Sequence, residues 1–173
     1  MRDYLFTRFP RRKTNSLPNP IFAVLIKGKM LHERTITQSA FDVLESAKKD
    51  AEKSHNPYVT PEHVLFQIEA SGLLKDYLES SGKNQSYFRD RLRFFFSSLG
   101  AMRATEPESA EISQSLRRVL ESAIVIANEE EEVPVGIPHL LMGIAQQPDS
   151  LAGYLLRNNP EVLKGFGVIQ YDL

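Results

Sequence analysis

Two histidines stand where they could do chemistry. His63 follows Glu62, and His139 follows Pro138 at the equivalent position of a similar stretch. An imidazole beside a carboxylate could act as a general acid or base, or it could bind a metal ion. The alternative is structural: each histidine lies in the first turn of a helix and makes the same hydrogen bond twice. We favour the structural interpretation, because a packing role explains why both copies hold a histidine at the same place.

The sequence offers no other catalytic or metal-binding set. It contains no cysteine, which excludes disulfides, thiolate zinc sites and cysteine nucleophiles and fits a reducing compartment. His32 and His55 fall outside any metal-ligand spacing, and there is no serine-nucleophile elbow. A small hydrolase using Glu62 and His63 is the rival function, but we predict no enzyme, no catalytic residue and no metal site.

The composition is that of a cytoplasmic globular domain. The chain has 173 residues, 42% hydrophobic and 25% charged, and no apolar run is long enough to span a membrane. Residues 1–29 carry seven Lys and Arg against the single acid Asp3, whereas residues 30–173 have a net charge of −7. An acidic body argues against nucleic-acid binding, which needs a basic face.

Residues 1–33 form a basic extension broken by Pro10, Pro18 and Pro20. Three interpretations stay open. The extension could be a targeting-like segment, which leaves organellar import possible, a flexible arm, or sequence upstream of a true start at Met30.

An internal repeat organises the rest of the chain. Residues 37–69 align without a gap on residues 113–145 at an offset of 76, with twelve identical pairs. Chance does not produce matches at this density, so one supersecondary unit is used twice.

Each unit is predicted to be helical. Ala40, Leu44, Ala47 and Ala51 fall on one face of a helix, and the second copy has apolar residues in the same places. Thr37, Ser113 and Thr60 are candidate N-caps, and prolines end the first helices and start the next. We predict an all-α chain of two tandem four-helix repeats, with third helices at 73–80 and 151–158 and a fourth at 84–99.

The predicted domain covers residues 34–159. Repeat one is 37–99, a linker rich in Ala, Glu, Ser and Pro is 100–111, and repeat two is 112–159. Residues 160–173 are predicted to be a C-terminal tail.

The two copies differ in their first helices. Lys48, Lys49 and Asp50 of the first copy correspond to Ile124, Val125 and Ile126 of the second. A helix that is apolar nearly all round is typically buried. We therefore expect helix 113–129 to pack centrally and helix 38–53 to lie outside.

The repeated motifs resemble a known family. They are the stretch Thr60-Pro61-Glu62-His63-Val64-Leu65, the stretch Pro138-His139-Leu140-Leu141 and the helices that precede them. The pattern is similar to the double N-terminal repeat of Clp/Hsp100 AAA+ unfoldases of the ClpA, ClpB and ClpC type. The segment Leu151 to Arg157 is similar to ClpA, and Asn56-Pro57-Tyr58-Val59 is similar to ClpV.

The resemblance implies a pseudo-twofold bundle of about eight helices that is monomeric when isolated. It implies binding of adaptor proteins or of unfolded or tagged substrates, for delivery to a hexameric ring that uses ATP and Mg²⁺. The alternatives are binding of the type VI secretion sheath, as in a ClpV-like unfoldase, and a stand-alone accessory subunit of the Clp protease. Gly28-Lys29 lacks the glycine and hydroxyl residue of a phosphate loop, so no cofactor is expected in this chain.

The resemblance also suggests binding residues. Thr37 matches a threonine that borders the substrate groove in ClpB-like domains, and its alternative role is that of an N-cap. Glu62 matches an acid that contributes to phosphoarginine binding in the ClpC branch. The second copy has Pro138 there, which weakens the match, and the alternative role of Glu62 is to face a helix dipole.

The aromatic residues of the fourth helix form two faces. Phe88, Leu92, Phe95 and Leu99 make a core stripe with Phe96 beside it, whereas Tyr87 and Phe94 fall on another face. Exposed aromatics often mark contact surfaces, and burial is the alternative. We expect a shallow, amphipathic groove on the first copy or between the copies, with the second copy supplying most of the core.

Overall fold

The computed structural model describes residues 36–80, 82–83, 86–99, 109–130 and 133–166. Within these residues the chain forms eight helices and two short strands, which confirms the all-α class. The elements in chain order are α1 (Gln38–Lys53), β1 (Tyr58–Val59), α2 (Pro61–Ala70), α3 (Lys75–Ser80), α4 (Tyr87–Ser98), β2 (Glu111–Ile112), α5 (Gln114–Glu129), α6 (Ile137–Ala145), α7 (Leu151–Arg157) and α8 (Pro160–Gly165). None of the helices in these ranges is long and apolar enough to cross a membrane.

The first helix of each repeat begins at the predicted cap. The hydroxyl of Thr37 accepts a hydrogen bond from the backbone N–H of Ala40 at 3.3 Å, and Ser113 accepts from Leu116 at 3.1 Å. Each cap satisfies one of the free N–H groups of the first turn. The second helices, α2 and α6, each have a proline in the first turn, where its missing N–H costs nothing.

The two repeats exchange short parallel strand pairings. Ile36, before α1, pairs with Val135, before α6. Ile112, before α5, pairs in the same way with Val59, before α2. The equivalent hydrogen bonds, from Thr37 N–H to Val135 O and from Ser113 N–H to Val59 O, are both 3.0 Å long. Because each pairing maps onto the other through the sequence repeat, the domain has a pseudo-twofold axis between its repeats.

The helices follow the same exchange. The third helix of each repeat packs against the fourth helix of the other, α3 against α8 and α4 against α7. The rings of Tyr77 and Phe166 meet at the first of these contacts, with centroids 4.9 Å apart. The second helices, α2 and α6, contact each other and lie at the centre of one continuous core.

The expectation that helix α5 is central was wrong. Helix α1 contacts α2 and α6, and α5 contacts α6 and α2, so the two first helices have equivalent flanking positions. Ile124 and Ile126 are buried, but Val125 is 55% exposed. The extra apolar residues of α5 widen its buried face without enclosing the helix.

Residues 160–166 correct the predicted tail. They form α8 and the turn after it, and Val162 and Leu163 are buried in the core. Helix α8 is the fourth helix of repeat two. The predicted extension 1–33, most of the linker and residues 167–173 lie outside the described residues.

Candidate functional site

Both histidines serve as helix caps, which confirms the structural interpretation. Nδ1 of His63 accepts the backbone N–H of Thr60 at 3.2 Å, and Nδ1 of His139 accepts that of Gly136 at 2.8 Å. Each ring reaches back from the third residue of a helix to the N-cap, as Glu or Gln does in a capping box. On the other side of its ring, Nε2 of His139 lies 3.1 Å from Oε2 of Glu130.

His63 is held neutral by its surroundings. Burial lowers the pKa of His63 below 6.5, although the nearby carboxylates of Asp50 and Glu62 oppose the shift. Nε2 of the same ring lies 3.3 Å from the side-chain amide nitrogen of Asn56. With both nitrogens engaged, the ring is not placed to act as a base on a substrate.

Glu62 connects the two repeats. It is only 5% exposed, and its Oε1 accepts from the hydroxyl of Ser150 at 2.9 Å and from the backbone N–H of Ala152 at 3.4 Å. Ser150 is the N-cap of α7 and also accepts from the N–H of Gly153. The carboxylate therefore faces the positive end of a helix in the other repeat and is not presented to a partner.

Thr37 is also part of the internal hydrogen bonding. Its hydroxyl caps α1 and lies 3.2 Å from the hydroxyl of Ser39, and its backbone N–H pairs with repeat two. Thr37 and Glu62 thus have roles in the fold, and we leave both out of the candidate surface.

Helix α4 has one buried face and one exposed face. Phe88 and Leu92 are fully buried, whereas Phe94 is 78% exposed. The buried stripe continues through Phe96 and not through Phe95, which corrects the predicted stripe: the Phe96 ring packs 4.6 Å from the ring of His63. Phe88, Leu92 and Phe96 follow one another at intervals of four residues, whereas the predicted stripe placed Phe95 seven residues after Phe88.

The exposed face of α4 borders an open groove of about 510 Å³. It is lined by Tyr87, Asp90, Arg91 and Phe94 of repeat one and by Leu151 of repeat two. The groove thus brings together the two aromatic residues predicted to bind a partner. Its walls combine apolar rings with charged groups.

Charged contacts fix the walls of this groove. Arg89 donates through Nε to Oε2 of the buried Glu69 at 2.7 Å, which ties α4 to α2. Two cations lie over the ring of Tyr87, with Lys83 Nζ at 4.7 Å and the guanidinium carbon of Arg91 at 4.6 Å from its centroid. Both distances are within the range of cation–π attraction.

Three residues of the groove were not predicted from the sequence. Asp90 and Arg91 lie within a turn of Tyr87 and Phe94, so the helical face already contained them. Leu151 carried no such signal, because only the packing of α4 on α7 brings it to the groove. Across the described ranges, no group of His, Asp and Glu side chains could hold a metal ion.

The exchanged strands and duplicated helices define an all-α domain built from two copies of one unit. The family model for the Clp repeat (R) N-terminal domain matches residues 35–159, and the chain belongs to this family. The predicted membership of the Clp/Hsp100 N-terminal domains is thereby confirmed.

Solved structures show the same fold. The Hsp104 N-terminal domain from Candida albicans superposes with a TM-score of 0.65 at 15% identity, covering 78% of this chain and 93% of that one. A structure from preliminary investigations of a malarial protein secretion system gives 0.59 at 20%, covering 76% and 90%. The N-terminal domain of the caseinolytic protease associated chaperone ClpD from Arabidopsis thaliana gives 0.55 at 17%, covering 81% and 99%.

Proposed function

We propose that this domain recognises substrate or adaptor proteins for a Clp-type unfoldase, and that it binds them in the groove between α4 and α7. The observation that carries the proposal is the position of Phe94. A phenylalanine with 78% of its surface exposed stands at the wall of an open groove between the repeats. In the full machine, the bound protein would be passed to the ATPase ring.

The shape and chemistry of the groove support an extended protein segment as the ligand. Phe94 and Leu151 supply apolar surface, and Tyr87, Asp90 and Arg91 supply polar edges. Small-molecule sites bury most of their ligand, whereas this groove is open to solvent. It therefore suits an extended polypeptide better than a small molecule. The segment pays ordering entropy on binding, so modest affinities are expected.

Substitution of Phe94 tests the proposal. We expect Phe94→Ser to weaken binding of a fluorescently labelled, permanently unfolded protein by roughly tenfold, or about 1.4 kcal/mol, because the partner loses an apolar surface. Fluorescence anisotropy with the purified domain measures the affinity. Phe94 makes little contact with the core, so the thermal midpoint should not change.

Tyr58→Ser is the matched control. Tyr58 is also an exposed aromatic, at 51%, but it does not line the groove. Its substitution should leave the affinity unchanged. Equal effects of the two substitutions, or no effect of Phe94→Ser, would exclude the groove as the binding site.

A further inference from the structure

Two cations lie beside the Tyr87 ring, which lines the groove, although the chain is acidic over most of its length. Residues 30–173 have a net charge of −7. Arg91 lines the groove itself, and Lys83 lies over the same ring with its Nζ at 4.7 Å from the centroid. The location of these cations beside an apolar surface determines which ligands the groove can distinguish.

The neighbouring Arg89 is paired with a carboxylate, whereas these two cations contact the ring of Tyr87. Arg89 is neutralised by the buried carboxylate of Glu69 at 2.7 Å. Asp90, the acid of the groove wall, accepts the hydroxyl of Ser86 at 2.8 Å through Oδ2. Neither Lys83 nor Arg91 forms an ion pair with any residue that the structure describes. The described side chains at the Tyr87 ring and the groove wall thus include two cations, Lys83 and Arg91, and one carboxylate, Asp90.

We infer that the groove selects acidic protein segments in which a large apolar side chain stands beside Asp or Glu. The apolar side chain packs on Phe94 and Leu151, and the neighbouring carboxylate is placed at Arg91 and Lys83. A guanidinium suits this role, because its planar set of donors matches the two oxygens of a carboxylate. The inference rests on the proposed function and names the chemical class of its ligand.

The two cations decide the sign of the preference. A carboxylate of the ligand is attracted by Lys83 and Arg91 at the Tyr87 ring, and a ligand lysine placed there is repelled by them. The groove should therefore discriminate by charge as well as by hydrophobicity.

Three labelled peptides test the inference. They share one leucine-containing sequence and differ only in the residues beside the leucine, which are Asp, Asn or Lys. At about 50 mM salt, the Asp peptide should bind roughly threefold to tenfold more tightly than the Asn peptide, as expected for one or two exposed ion pairs, and the Lys peptide should bind most weakly. At about 500 mM salt, the three affinities should converge, because exposed charges are screened.

Arg91→Gln should remove most of the difference in affinity between the Asp and Asn peptides. Arg117→Gln is the matched control. It removes an exposed arginine from α5, outside the groove wall, and should preserve the discrimination. Circular dichroism with heating verifies that both variants fold.

The possible failures are distinguishable. If all three peptides bind equally and Phe94→Ser weakens the binding of each, the groove binds protein without distinguishing charge. This result would overturn the inference and leave the proposed function standing. Tighter binding of the Lys peptide, or discrimination that survives Arg91→Gln, also overturns the inference. If no peptide binds, both the inference and the proposed function fail.

Discussion

Glu62 should stabilise the domain by joining its repeats, and its removal should be costly. Oε1 accepts the Ser150 hydroxyl at 2.9 Å and the Ala152 N–H at 3.4 Å, inside a buried interface. Glu62→Ala removes both acceptor interactions and leaves a buried N–H and a hydroxyl without their partner. A hydrogen bond to a charged group contributes about 1.5–3 kcal/mol, and an unsatisfied buried donor costs about 1–3 kcal/mol. Since one of the two bonds is long, we expect a net loss of about 2–4 kcal/mol.

Urea unfolding followed by circular dichroism measures this loss. Glu62→Gln keeps an amide oxygen in place and should cost about 1 kcal/mol, because the acceptor is retained without its charge. A double-mutant cycle with Ser150→Ala should give a coupling energy of about 1–2 kcal/mol, since the two side chains are in direct contact.

Glu161→Ala is the matched control for a simple helix-dipole effect. Glu161 follows Pro160 at the start of α8, as Glu62 follows Pro61 at the start of α2, but Glu161 is exposed. Its removal should cost at most about 1 kcal/mol. A Glu62→Ala protein within about 0.5 kcal/mol of the parent would refute the inter-repeat role, because surface substitutions usually fall in that range. Weaker partner binding at unchanged stability would instead restore Glu62 as a binding residue.

Two further predictions concern stability. Gly143→Ala should lower the free energy of unfolding by about 1–3 kcal/mol in urea titrations, because the added Cβ would collide with the carbonyl oxygen of Val119 where α6 crosses α5; an unchanged or higher stability would contradict this close approach. The lowered pKa of His63 means that the folded protein binds this proton less readily than the unfolded chain, whose value is 6.5. The contribution of neutral His63 is thus present above 6.5 and is lost as the pH falls through the folded pKa. His63→Gln keeps an acceptor for the N-cap N–H but cannot titrate, so its thermal midpoint should depend less on pH between about 7.5 and 5.5; equal pH dependence in both proteins would show that His63 does not contribute.

The local features of the fold were predictable from the sequence. The caps at Thr37 and Ser113 and the shared positions of His63 and His139 follow from short-range chemistry repeated in two copies. The strand exchange was not predictable, because two-residue strands have no measurable periodicity. Helix α8 was missed because it is half as long as α4, the fourth helix of repeat one, and so does not repeat that helix.

The errors in placement have one physical cause. Periodicity reports which side of a helix is apolar, but it does not report what covers that side. Helix α5 was therefore assigned to the centre on composition alone, although Val125 faces solvent. Glu62 was assigned to a binding surface, although α7 of the other repeat covers it. Phe94 is exposed and Tyr87 is half-buried against the core, so the separate face predicted for this pair is only partly open to solvent.

The pseudo-twofold axis relates the junction of α4 with α7, which borders the groove, to the junction of α8 with α3. Helix α4 has twelve residues and carries Phe94 in its second half, whereas α8 has six and ends at Gly165. The ring of Tyr77 lies directly on Gly165, where a Cβ would collide with it, and Phe166 packs beside that ring. Aromatic side chains of both repeats thus occupy the junction of α3 with α8. The two related junctions differ because the fourth helix of repeat two is half as long as that of repeat one.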